Sequence, residues 1–384
     1  LHKEYRRQRQ MCIRDRIRMV KFFLILTSII SLTTQSVRAE NAYIEKIGPT
    51  LKNPWGMDFI NDSELLVTEK RGRIYRINIS NGSSYEVENV PEVVSQGQGG
   101  LLDIIFHDGL VFYCYSKDTS KGTVLAIDSA LVLDDKLEQQ KTIFESNNPS
   151  RSSYHFGCRL EISNRKLFAT LGERGNRFNA QDASIHAGSI IRLNLDGGIP
   201  TDNPKLDGWA PENYSIGHRN PQGLKLNPET KEIWSHEHGP KGGDEINIII
   251  AGENYGWPRV SHGFEYGTND KVSEYETLPG FNDPEWFWTP SIAPSGMDFY
   301  PTKGNANMFP ELKGNLLVGS LKFKRLYSIS INKSGMPESE SILLDSTLGR
   351  IRDVAVAKDG SILILNDESS FSRPEGGLYR VFRE

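Results

Sequence analysis

The chain has 384 residues, with 49 Asp and Glu against 45 Lys and Arg, and three cysteines. That length holds one large domain or two ordinary ones. Residues 1–39 carry nine Lys and Arg and two acids, so the remainder carries −11, a balance that argues against nucleic acid as a partner.

Residues 1–18, "LHKEYRRQRQMCIRDRIR", do not begin with Met and have no apolar period; "MCIRDR" resembles the translation of a sequencing-library adapter. They read as extraneous to the fold. Residues 19–39 have the anatomy of a secretory signal peptide: a basic start at Lys21, an apolar core from Phe22 to Leu32, and Val37-Arg38-Ala39 before a cleavage point near Glu40. The core is too short to span a bilayer comfortably and no later stretch does better, so the expectation is a periplasmic or secreted protein with no membrane span after cleavage. Cys12 falls in the first segment, which leaves Cys114 and Cys158. An oxidising compartment permits a disulfide between them, but their spacing does not demand one, and two buried thiols remain an equal alternative.

From residue 40 to 384 one pattern recurs: a short apolar strand, a turn, and a second apolar strand. It starts at Trp55, Gly100, Cys158, Gly223, Gly296 and Ile351, with turns such as Asn-Asp, Asp-Gly and Asn-Arg. No unit can bury both faces of its sheet alone, so the units must pack around an axis. The expected fold is all-β, a six-bladed β-propeller over 40–384. A β-sandwich or two stacked barrels is the alternative, but it gives no reason for the polar, glycine-rich motifs to adjoin the same strand of each repeat.

Those motifs carry the chemistry. In "SYHFGCRL", His155 stands at a blade entrance, where an imidazole suits a general base at neutral pH. Arg219 and Asn220 of "GHRNPQGL" sit at a loop mouth, as does Lys322 of "GSLK". Arg350 and Arg352 alternate about Ile351, which puts both on one face of a strand with something anionic expected between them. A propeller would gather these cations into one pocket for a small ligand with several negative charges. In "WSHEHGPKGGDEINIIIAGENYGWP", His236 and His238 lack the further ligands that zinc requires. The Gly239-Pro240 turn, with Asp244, Glu245 and Tyr255, offers oxygen ligands that suit Ca²⁺.

Nine ordered stretches together resemble the soluble quinoprotein family of glucose/sorbosone dehydrogenases, in its aldose sugar dehydrogenase branch. They are "NPWGMDF", "GQGGLLDI", "HFGCRL", "GHRNPQGL", "HGPKGGDEIN", "NYGWP", "PSIAPSGMDFY", "GSLK" and "GRIRDV". The resemblance implies a six-bladed propeller binding pyrroloquinoline quinone (PQQ), a tricarboxylate, with Ca²⁺ between protein carbonyls and the quinone. It implies an aldose substrate oxidised at C1 and an external electron acceptor. His155 would be the base; Gln98, Arg219, Asn220, Lys322, Arg350 and Arg352 would contact the cofactor. Arg352 would also stabilise negative charge developing on the quinone oxygen. Gly239 and Pro240 would give carbonyls to the cofactor's Ca²⁺, and Glu245 and Tyr255, with Asp244, would serve a neighbouring calcium. Cys158 departs from the family pattern. A calcium-dependent propeller lactonase and a non-catalytic glycan-binding propeller are the competing readings.

Overall fold

The computed structural model describes residues 42–304, 307–368 and 375–383. The extraneous segment and the signal peptide expected over 1–39 lie outside the described residues. No helix among the described residues is long and apolar enough to cross a membrane.

After β1 (Tyr43–Leu51) come six four-stranded antiparallel blades. The first is β2 (Pro54–Phe59), β3 (Glu64–Glu69), β4 (Arg73–Asn78) and β5 (Ser84–Glu86), and the second is β6 (Leu101–His107), β7 (Leu110–Thr119), β8 (Gly122–Leu133) and β9 (Lys136–Glu145). The third is β10 (Leu160–Ser163), β11 (Lys166–Thr170), β12 (Ser189–Asn194) and β13 (Asn213–Ile216). The fourth is β14 (Pro221–Leu226), β15 (Ile233–Glu237), β16 (Asp244–Ile249) and β17 (Trp286–Trp288). The fifth is β18 (Pro294–Phe299), β19 (Leu316–Ser320), β20 (Arg325–Ile331) and β21 (Pro337–Asp345). The sixth has β22 (Ile351–Val356), β23 (Ile362–Asp367) and β24 (Gly376–Phe382), and takes β1 as its outer strand, Tyr43 pairing with Phe382. The inner strands β2, β6, β10, β14, β18 and β22 each pack on the next, and β22 returns to β2. The expected six-bladed propeller is therefore the observed fold.

Local chemistry explains the blades. Second strands such as Ile362–Asp367 are buried along their whole length, because a neighbouring blade covers each face. They accordingly read as continuous apolar runs. Outer strands such as Lys136–Glu145 are mostly exposed and read polar. Asn164 and Arg165, both at positive φ (50° and 56°), form the two-residue link between β10 and β11, the turn whose twist matches the strands it joins.

Buried carboxylates stitch the inner ring together. Asp58 accepts the Phe106 N–H at 2.7 Å, Asp103 that of Leu160 at 2.8 Å, Asp298 that of Val356 at 2.9 Å, and Asp353 that of Met57 at 2.9 Å. Glu161 does the same with Leu226. Five of the six junctions are thus closed by an acid of one blade on an amide of the next. At the sixth, Lys225 of β14 lies 3.9 Å from both Glu161 and Asp298. Gly56 and Gly296 are needed here, since a Cβ on either would strike the carboxylates of Asp103 and Asp353. The ring encloses an axial cavity of about 150 Å³. Arg159 crosses it between Asp103 (3.0 Å) and Asp353 (3.1 Å), stacked 4.3 Å from the Trp55 ring.

Cys114 and Cys158, both fully buried, are joined in a disulfide between β7 and the segment that enters β10. Of the two alternatives left by the sequence, the structure has the pairing.

Candidate active site

His155 lies in the link that leads into β10, with φ at 51°, a region that non-glycine residues rarely occupy. Three contacts hold it there. Its N–H donates to Gln98 Oε1 at 2.8 Å, its carbonyl accepts from Arg174 N–H at 3.3 Å, and Nδ1 rests 2.8 Å from the Glu173 carboxylate. Glu173 is buried, and its carboxylate also accepts the Gly175 N–H. The Nδ1 contact with Glu173 is a close ion-pair approach without hydrogen-bond geometry; a carboxylate at that distance favours hydrogen on Nδ1, which would leave the Nε2 lone pair to take a proton.

Beside it, Asn220 accepts the Gly157 N–H at 3.2 Å, and Gly172 packs so close that a Cβ would meet both the His155 carbonyl and the Asn220 amide. Arg219 directs Nη1 at the carbonyls of His238 (3.0 Å) and Gly239 (3.1 Å), with its guanidinium 5.3 Å from the Trp257 ring. Its own N–H reaches Glu237, which continues through His218 to Ser215 in a buried chain with 2.9 Å steps. His238 Nε2 lies 2.6 Å from the Pro294 carbonyl, which can only accept, so this ring nitrogen carries hydrogen. Burial first, then the positive charge of Arg219, Arg352 and His155, pushes His238 down to about 3.

Lys322 and Arg350 adjoin the turn after β19. The Lys322 N–H donates to Ile292 O at 3.2 Å, and Arg350 Nη1 to Leu321 O at 3.3 Å. Arg350 precedes β22 and a bulge follows Ile351, so the simple strand alternation expected of the two arginines is broken. Arg352 nevertheless feels the charge of Arg350, and it has an internal anion, Asp367, at 3.3 Å. Its Nε is buried and has no hydrogen-bond partner among the described residues. Arg219, Lys322 and Arg350 have no salt bridge to a carboxylate among the described residues, in a chain with more acids than bases.

The oxygen set proposed for calcium divides. The Gly239 and Pro240 carbonyls face the site, the first toward Arg219 and the second accepting from the Tyr266 hydroxyl. Asp244 is a brace: Oδ1 accepts the Gly239 N–H at 2.9 Å, and Oδ2 accepts Ser291 Oγ, Ile292 N–H and Ala293 N–H at 2.7–2.8 Å. Tyr255 spends its hydroxyl on the backbone, donating to Ile248 O at 2.6 Å and accepting from Ile250 N–H at 2.9 Å. Glu245 faces Glu237 across the β15–β16 pair, and burial with that neighbour pushes its carboxyl well up. Among the described residues no three His, Cys, Asp or Glu side chains are grouped to hold a metal ion. His236 is fully buried, so the disfavoured zinc reading gains nothing.

Residues 51–378 match the family model described as Glucose / Sorbosone dehydrogenase. The chain belongs to the glucose/sorbosone dehydrogenase family. Within that family it is similar to the aldose sugar dehydrogenase YliI of Escherichia coli strain K12, with 36% identity covering 91% of this chain and 96% of the relative. It is 27% identical to quinoprotein glucose dehydrogenase B of Acinetobacter calcoaceticus, covering 88% of each. The structure of the soluble aldose sugar dehydrogenase of Escherichia coli in its apo form superposes with a TM-score of 0.82 at 33% identity, over 88% of this chain and 99% of that one. The structure brings Gln98 onto His155, places Arg219, Arg352 and His155 around His238, and sets Arg350 beside Arg352 and the Leu321 carbonyl that precedes Lys322. Sequence reading missed Glu173. The signal was an acid in "LGERG", just beyond the strand that pairs with the one His155 introduces.

Proposed function

We propose that this family member oxidises the C1 hydroxyl of aldoses to the lactone with PQQ and Ca²⁺, outside the cytoplasm, and passes the electrons to an external acceptor. The observation that carries this reading is His155 Nδ1 placed 2.8 Å from the buried Glu173 carboxylate, near Arg219, which has no carboxylate partner among the described residues. The names of the relatives, one an aldose sugar dehydrogenase and one a quinoprotein, support it. A buried disulfide supports the oxidising compartment.

The donor set fits a tricarboxylate. Arg352 has an orphaned buried Nε, and Lys322, Arg350 and Arg219 supply further N–H donors. Ca²⁺ fits less fully: the chain offers the Gly239 and Pro240 carbonyls, each with a second lone pair, and the rest of the sphere must come from cofactor and water. Glu245 remains the acid of the neighbouring group for a second calcium, with Asp244 and Tyr255 bracing the loop. When bound, the quinone with its Ca²⁺ supplies the acceptor for the two electrons that leave C1 as hydride. His155 Nε2 takes the C1 hydroxyl proton, Glu173 steadies the resulting imidazolium, Gln98 fixes the peptide of the base, and Arg352 presents positive charge.

Adding PQQ and Ca²⁺ to the protein and then an aldose should bleach the oxidised cofactor and reduce an electron-acceptor dye. A folded, cofactor-loaded protein that oxidises no aldose, or one that hydrolyses gluconolactone without cofactor, would refute the reading. Glu173→Gln should lower kcat by about 10- to 100-fold, a share of what the base itself contributes. Steady-state dye reduction at saturating aldose checks this, and an unchanged kcat removes Glu173 from the mechanism.

A further inference from the structure

Lys70 belongs to none of the motifs above, yet it stands at the same mouth. Its backbone is pinned between blades: its N–H donates to Asn53 O at 3.0 Å, and its carbonyl accepts Leu101 N–H at 2.9 Å. The side chain turns toward the base, with Nζ donating to Gly97 O at 2.6 Å. Gly97 precedes Gln98, whose own N–H donates to Ser153 O at 2.8 Å and whose side chain accepts the His155 N–H. The ammonium is therefore fixed on the turn that positions the base.

The charged groups that act on it are Arg71 from its own turn and Arg352 and Asp367 from blade six. The 97–98 turn of blade two presents it only a carbonyl. No salt bridge joins Lys70 to a carboxylate among the described residues, and of its three N–H donors one is used. Arg352, one of those neighbours, is the residue with the orphaned buried Nε. Two half-satisfied cations thus share one corner. Burial first and then Arg352 push the Lys70 ammonium down to about 8.

We propose that Lys70 is a further cation of the cofactor pocket, receiving a carboxylate of the bound anion, and that filling the pocket is thereby coupled to uptake of a proton at alkaline pH. The inference rests on the PQQ reading above. An anion beside an ammonium favours its charged form, so binding raises the Lys70 pKa. Below about pH 7 the lysine is already charged and contributes no proton uptake. Above about 8 it must be charged as the ligand binds, so affinity falls by up to about tenfold per pH unit until the pKa of the bound state is reached.

The test is calorimetric binding of PQQ with Ca²⁺ to the apo-protein at pH 6.5 and 8.5, each in two buffers of different ionisation enthalpy. Wild-type protein should take up a proton at pH 8.5 and not from this residue at 6.5. Lys70→Met should bind about tenfold more weakly at pH 6.5 and lose the uptake at 8.5. Lys70→Arg, which keeps the charge, should keep the affinity at both values and also lose the uptake. If wild type binds PQQ but both variants match it in affinity and proton uptake, Lys70 is overturned while the cofactor reading stands. If wild type binds no PQQ at either pH, both fall together.

Discussion

Replacing His155 by Asn is expected to lower kcat for aldose oxidation by about 10²- to 10⁴-fold, the range that a positioned general base supplies. Asn is the informative choice because the backbone here has φ at 51°, and Asn tolerates the left-handed region better than Ala or Leu. The contacts of His155 N–H with Gln98 and of its carbonyl with Arg174 use the backbone, so they survive the change. The amide can still donate to Glu173, which keeps that buried carboxylate from being stranded. What disappears is the lone pair proposed to take the proton. PQQ affinity, measured by calorimetry, should stay within a few-fold of wild type, since the cations proposed to hold the anion are on other loops. Turnover within threefold of wild type would remove His155 as the base, and a parallel loss of cofactor binding would make it a structural residue of the pocket.

The blades were legible because each repeat contains a run such as Leu65-Leu66-Val67 or Ile362-Leu363-Ile364-Leu365, which only a strand covered on both faces would bury. Turns such as Asp108-Gly109 and Asn164-Arg165 marked where those runs reverse. The closure of blade six was not legible, since nothing local in Tyr43–Leu51 announces a partner at the far end of the chain. The inner-strand charges were present in the sequence, but nothing local announces their role. "GMDF", "LLDI", "RLEI", "GLKL", "GMDF" and "IRDV" each put a charged residue at the third position, and only the closed ring reveals that Asp58, Asp103, Lys225, Asp298 and Asp353 line the axial cavity, with Glu161 3.9 Å from Lys225. The surroundings of Asp244 were equally illegible. An acid beside a Gly-Pro turn resembles an oxygen ligand, whereas the four donors that occupy it come from Gly239 and from residues 291–293, and that convergence is tertiary.

The same ring yields the second large effect. Arg159→Met is expected to destabilise the protein by about 3–5 kcal/mol at pH 8, the loss associated with removing one partner of a buried ionic group. Methionine fills much of the volume and can still pack on Trp55, so the change removes the charge and its hydrogen bonds while keeping most of the packing. It leaves Asp103 and Asp353, 3.0 and 3.1 Å from the lost guanidinium, facing one another in a small cavity. It also strands the Gln222 carbonyl (2.8 Å) and the Arg352 carbonyl (3.1 Å), so the defect reaches the proposed cofactor wall. The pH dependence has a definite sign. Burial already pushes Asp103 up to about 6 and raises Asp353, with Arg159 the principal opposing influence. A carboxyl whose folded pKa lies above its unfolded value binds more protons in the native state, so its stability contribution falls as pH rises from the ordinary carboxylate range through the folded pKa. Without Arg159 both folded values move higher still, and the loss extends further into neutral and alkaline pH. Urea unfolding at pH 8 and pH 5 should therefore give a deficit that is largest at pH 8 and shrinks at pH 5, where both acids can be neutral in the folded variant. An equal deficit at the two pH values would mean that Arg159 acts by packing and hydrogen bonding, with the blade-stitching acids already neutral in the wild-type ring.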